Sequence, residues 1–170
     1  MRALKFFLPA LAAALLAGCA GYHLGSVNGE PAGDKSVEVL PFNNQTLQPR
    51  LGDAVTQALR ERLQLDGTYR LATGGPGDLV VSGTIHSYDR EGLGYLNQDS
   101  STTQNYRIGI TVHVTVRDRV TGKLLLDRDV KGHTLVNAGP DFASSERQAA
   151  PQLAADLAQN ITELLTEGTW

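Results

Sequence analysis

The sequence predicts an α+β domain, a two-layer sandwich with two helices packed on one face of a mainly antiparallel four- to five-stranded sheet. Three observations predict it. Tyr106, Ile108, Ile110, Val112, Val114 and Val116 alternate with Arg107, Gly109, Thr111, His113, Thr115 and Arg117, the period-2 mark of a strand with one buried and one wet face. Leu51, Val55, Ala58, Leu59 and Leu63 recur at three- and four-residue spacing, so that segment lays one apolar stripe along a helix. Ala150, Leu153, Leu157, Ile161, Leu164 and Leu165 do the same near the carboxyl end. An order of strand, helix, strands and helix, each with one apolar face, closes as helices lying on one side of a sheet.

Residues 36–170 carry this single domain. SVEVLPF, Ser36 to Phe42, reads as a short strand, with Pro41 ending its ladder or placing it at an edge. Asn43 to Thr46 form a polar turn, and Pro49 stands where the first turn of a helix tolerates proline. The helix runs from Arg50 to Leu65, and Gly67 supplies a left-handed cap. A second strand is expected at Tyr69 to Ala72 and a third at Asp78 to Asp89, the latter with Leu79, Val81, Gly83 and Ile85 on one face. Arg90 to Gln104 is polar and glycine-bearing and reads as a hairpin loop longer than a tight turn requires, a length at which loops often carry function. After the long strand, Thr121 and Gly122 turn the chain and Lys123 to Leu135 returns antiparallel. Ser145 with Gln148 fits a capping box, but Pro151 removes a hydrogen bond inside a helix, so the regular last helix is expected to start near Pro151.

The amino end reads differently. Arg2 and Lys5 precede an apolar run from Phe6 to Ala17, the pattern of a secretory signal. The run is too short for a transmembrane helix, which needs about 20 apolar residues. Leu16, Ala17, Gly18 and Cys19 then match the lipobox of bacterial lipoproteins, and Cys19 is the only cysteine of the chain. The reading is a signal peptide over 1–18, lipidation of Cys19 by diacylglycerol and an N-acyl group, and a flexible glycine-rich tether over 19–35. Each buried methylene adds about 0.8 kcal/mol, so two or three chains hold a protein to a bilayer without a spanning helix. An ordinary secretory signal followed by a chance cysteine is the alternative. Lipidation would consume the one thiol, leaving no disulfide framework, metal thiolate or cysteine nucleophile. Tyr22, His23 and Leu24 are more than a linker needs. Ala20, where an aspartate would signal inner-membrane retention, favours the outer membrane.

Charge and motif content narrow the function classes. Loss of Arg2 and Lys5 from 15 basic residues, against 18 acidic ones, leaves a mature net charge of about −5, with no basic cluster to bind nucleic acid. His23, His86, His113 and His133 have no partner at HExxH-type spacing, and the glycines of Gly92 to Asn97 lack the strand-to-helix setting of a phosphate loop. No metal or other cofactor and no catalytic residue is expected. His86 and His113 lie on outward strand faces, readable as a weak metal pair or as solvated surface residues. Arg117, Asp118 and Arg119 beside Asp127, Arg128 and Asp129 are expected to form cross-strand ion pairs on a solvated face.

CAGYHLG at 19–25, VLPFNNQT at 39–46, LGDAVTQALRERL at 51–63 with DGTYRL behind it, DLVVSGTIHSYD at 78–89, YRIGITVHV at 106–114 and ERQAAPQLAADLAQNITELL at 146–165 together resemble the LptE family of lipopolysaccharide-assembly lipoproteins. The resemblance runs in order through nearly the whole mature chain. VLPFNNQT alone is also similar to the first strand of outer-membrane lipoproteins that regulate peptidoglycan synthases or build curli-type secretion pores. The LptE resemblance implies a lipid-anchored protein on the periplasmic side of the outer membrane, with no enzymatic activity. Its implied partners are the β-barrel LptD, which it plugs and helps to assemble, and lipopolysaccharide in transit to the outer leaflet. Lipid A phosphates call for charge-assisted contacts. Arg90, Arg107 and Arg117 are the candidates, and the segment PDFASSER before the last helix carries only Arg147.

Overall fold

The computed structural model describes residues 33–96, 99–137 and 141–167, with backbone alone at 94–96 and 99–104. The signal sequence, Cys19 and Tyr22 to Leu24 lie outside the described residues, as does the tether up to residue 32. The elements are β1 (Ser36–Val39), β2 (Asn43–Asn44), α1 (Leu51–Asp66), β3 (Arg70–Leu71), β4 (Leu79–Leu96), β5 (Asp99–Asp118), β6 (Leu124–Asn137) and α2 (Phe142–Thr166). Among the described residues no helix is long and apolar enough to cross a membrane.

The expected two-layer α+β arrangement is present, with a sheet of six strands in the order β3-β1-β4-β5-β6, β2 pairing with β4 beside that path. The sheet is mixed. β4, β5 and β6 form an antiparallel meander, whereas β1 runs parallel to both β3 and β4, and β2 parallel to β4. The parallel pairing of β1 with β3 follows from α1, because a helical crossover returns the chain to the same end of the sheet before the next strand begins.

One face of the sheet meets both helices. Val37, Val81, Ile85, Val112, Val114 and Val116 are fully buried there, against Val55 and Leu59 of α1 and Leu157 and Ile161 of α2. The alternation read from residues 106–117 thus has its cause in a core on one side and water on the other. Two glycines set the spacing of the layers. A Cβ on Gly132 would stand 2.7 Å from Leu157 Cβ, and one on Gly83 would enter the ring of Phe42, so a side chain at either position would push the layers apart. Two buried hydroxyls tie the layers among the described residues: Thr56 of α1 donates to Gly52 O at 2.7 Å and accepts the Phe42 N–H at 3.0 Å, and Tyr69, beside β3, donates to Leu165 O of α2 at 3.0 Å.

Three expectations need correction. Arg90 to Gln104 is not a loop: β4 continues to Leu96 and β5 begins at Asp99, pairing Glu91 with Arg107, Gly92 with Tyr106 and Gly94 with Asn105. The pairing there is interrupted by register shifts at Gly92/Gly94, Gly94/Tyr95 and Tyr95/Leu96, where bulges accommodate the glycines. The last helix starts at Phe142, well before Pro151, because Asp141 caps it by accepting the Ser144 N–H at 3.1 Å. Pro151 sits inside that helix and leaves the Arg147 carbonyl without its usual i+4 donor. Pro49, finally, lies in the turn ahead of α1 and not in its first turn; the residue at the N-cap is Arg50, at φ 60° with no side-chain cap. Gly67 takes the left-handed cap at φ 75°, as expected, and donates to Leu63 O.

The outer edge of β6 is partly closed by α2. Asp156 accepts the His133 N–H at 2.8 Å, and Asn160 donates to Lys131 O at 2.8 Å.

Candidate functional site

The three arginines singled out from sequence do not form one site. Period-2 alternation puts Arg107 and Arg117 on the open face of β5. Arg107 is paired with Glu91 at 3.5 Å, and Arg117 donates to the carbonyl of Gly122 in the β5–β6 turn at 3.0 Å. Arg90 instead faces the helix layer, since the register shift between Ile85 and Ser87 moves the following even-numbered residues of β4 to that side. It pairs with Glu146 of α2 and lies 5.3 Å from the Tyr88 ring centroid. Tyr88 donates to the same carboxylate at 2.5 Å. Burial and then the Glu146 hydrogen bond push the Tyr88 hydroxyl far above the usual phenol range. Burial alone would raise Glu146, but the bonds from Arg90 and Tyr88 outweigh it and hold the carboxyl below its ordinary 4.5.

The open face also gathers histidines. His113 contacts Asp127 at 2.9 Å through Nε2 and Asp129 at 3.0 Å through Nδ1, and His86 reaches Asp129 at 3.5 Å. Asp127 and Asp129 are therefore committed to histidines, not to cross-strand pairs with Arg117 and Arg119. Arg119 turns the other way, to Glu38 and to the Gly77 carbonyl at 2.8 Å. Asp118 accepts from Thr121 and Val120 and shapes the turn. Hydrogen bonding to His113 draws the Asp129 carboxyl below its ordinary value. Among the described residues no three His, Cys, Asp or Glu side chains converge on a metal-holding position.

What the sequence did not disclose is a cleft of about 630 Å³ where the start of α1, the first half of α2 and the sheet fail to close on one another. Leu51 and Ala54 form one wall, Ala149, Ala150 and Leu153 the other, and Ile108 the floor. Arg50 and Arg147 stand on its lining beside Glu146. Next to it the turn from Asn44 to Gln48 is locked by its own polar groups. Asn44 donates to Gln48 O at 2.7 Å and accepts from the Thr46 amide and hydroxyl, and Thr46 Oγ1 accepts the Gln48 N–H. That rigid turn holds Leu47 wholly in solvent. The sequence signals were a proline on each side, Pro49 and Pro151, but proline alone does not tell a cleft from a kink.

The layer order defines a two-layer α+β domain, a fold that solved bacterial lipoproteins share. Its fold is similar to a minor lipoprotein from Acinetobacter baumannii (TM-score 0.51, 16% identity, 77% of this chain and 92% of that one). It is likewise similar to the rare lipoprotein B from Shewanella oneidensis (0.50, 14%, 75% and 92%) and to the hypothetical protein CT253 from Chlamydia trachomatis (0.56, 13%, 79% and 96%). At such identities the likeness speaks for the fold alone. No curated protein gives a significant match to the chain. The chain belongs to the LptE family, described as lipopolysaccharide-assembly, whose model matches residues 35–165.

Proposed function

We propose that the protein is an outer-membrane lipoprotein, lipidated at Cys19 and facing the periplasm, that plugs the LptD β-barrel, assists its assembly and helps pass lipopolysaccharide to the outer leaflet. The observation that carries the reading is the family match, which takes in every described element of the domain. The geometry suits it. A barrel lumen is polar, and the open face of β4, β5 and β6 presents Arg107, Thr111, His113, Thr115 and Arg117 without a covering layer. The contact roles fall to Arg107 and Arg117 on that face, whereas Arg90 is held by Glu146 on the other. The protein makes and breaks no bond in this role and needs no cofactor beyond the lipid on Cys19.

A photo-crosslinking residue at Thr111 or Thr115 tests the reading in detergent-solubilised outer membranes. A barrel the size of LptD is the expected adduct, and recovery of a peptidoglycan synthase or a secretion-pore subunit in its place would overturn it. Cys19→Ala is expected to abolish incorporation of labelled palmitate and release the chain from the membrane fraction.

A further inference from the structure

The cleft between the two helices has walls and floor of Leu51, Ala54, Ile108, Ala150 and Leu153, and its volume lies within the range of about 300–1,000 Å³ usual for ligand pockets. Its charge is one-sided. Glu146, the acid on the lining, is committed to Arg90 and Tyr88. Arg50 makes no side-chain hydrogen bond or ion pair among the described residues, and its backbone is held at φ 60°, a conformation disfavoured for a residue with a Cβ. Arg147 donates to Ser144 Oγ at 2.7 Å and feels the carboxylates of Asp141 and Glu146, but no acid is bonded to it. Beside this mouth the locked turn presents Leu47 to solvent.

An apolar hollow, two guanidinium groups at its rim and an exposed leucine on a rigid turn share one complement, a hydrocarbon chain ending in a negative group. We infer that this cleft binds a monoacyl anionic amphiphile, its chain lying between α1 and α2, its carboxylate or phosphate received by Arg50 and Arg147, and Leu47 dipping into the lipid surface from which it is taken. The two head groups share the planar, bidentate recognition that arginine offers. The inference concerns the helix layer and does not rest on barrel docking, which uses the opposite face; either could fail without the other.

The test uses the full chain in phosphatidylcholine nanodiscs, exposed to palmitate or lysophosphatidate bearing a mid-chain diazirine, with a neutral monoacylglycerol carrying the same group as control. Adducts are read by mass spectrometry. Saturable adducts on α1, α2 and Ile108 are expected, from one or both anionic probes, with the stronger of the two naming the head group. Ala150→Trp should fill the cleft and abolish them. Arg50→Gly combined with Arg147→Gln should weaken anionic labelling about tenfold, leave the neutral control unchanged, and not lower the melting temperature, because glycine adopts φ 60° without strain. Adducts scattered outside the cleft, neutral labelling as strong as anionic, or indifference to the arginine changes would each overturn the inference.

Discussion

Along the β4–β5 pair, the stretch Leu79–Tyr88 and the stretch Glu91–Leu96 are both strand-paired, the second across three register shifts and the first across one, and they differ in what lies beneath them. Beneath the first are both helices, and Val81, Ile85, Val112, Val114 and Val116 are sealed from water. Beneath the second the helix layer ends. Tyr106 makes a ring contact with Phe142 at 4.7 Å, while Leu93 stands exposed. A backbone ladder needs only a partner strand, whereas a period-2 side-chain pattern needs a core to sort against. The difference separates what strand pairing asks of a sequence from what burial asks.

The comparison can be pressed by mutation, beginning where the effect is greatest. Leu157→Ala under the inner stretch should lower unfolding free energy by about 2–5 kcal/mol in chemical denaturation, because the backbone of α2 against Gly132 cannot move in to close the gap. A change below about 1 kcal/mol would place the core elsewhere. Glu146→Gln, at the boundary of the two stretches, should lose about 1 kcal/mol near neutral pH by weakening the bonds to Arg90 and Tyr88. Its pH dependence has a definite sign. A carboxyl held below its ordinary value contributes stability that is whole above about pH 4.5 and is lost as pH falls through the depressed folded value. Melting curves from pH 6 downward should therefore converge between wild type and the glutamine variant, and parallel curves would contradict the assignment.

Exchange of residues 93–105 for an Asn-Gly turn should be mild, shifting the melting temperature by no more than about 2 °C, since the core among the described residues is sealed by the helices under the inner stretch. A loss comparable to Leu157→Ala would show that the outer stretch supports the inner one. Smallest of all, His113→Ala on the open face should shift it by about 1 °C or less, as exposed ion pairs contribute little.

The same contrast accounts for what could be read in the sequence. Val112 and Leu59 announce their elements because burial selects their spacing, and so the helices, the long strand and the two-layer class were legible. Glu91 and Gly94 pair as strand residues, but the polar, glycine-bearing stretch they belong to shows no apolar alternation, so its composition reads as loop. The six-stranded count was also hidden, because β2 and β3 are two residues each and leave no period to detect. Ser145 looked like the cap of α2, yet Asp141 four residues earlier does the capping, and Pro151 is carried within a helix that continues through it and packs on β6. Of the candidate site, Arg107 and Arg117 were placed correctly on the wet face. Arg90 read as the first residue of a loop; it is instead a strand residue, and the bulge after Ile85 turns it to the helix side. The cleft went unseen because Arg50 and Arg147 lie 97 positions apart and meet only through the crossing of two elements.

The capped edge of β6 bears on how the chain behaves in a crowd of its own copies. A strand seeking to extend the sheet from this side would find the His133 amide occupied by Asp156 and the Lys131 carbonyl by Asn160, both in the middle of the ladder it must complete. Self-association through this edge is thus opposed by two side chains on a helix, and the sheet stays finite without needing a seventh strand.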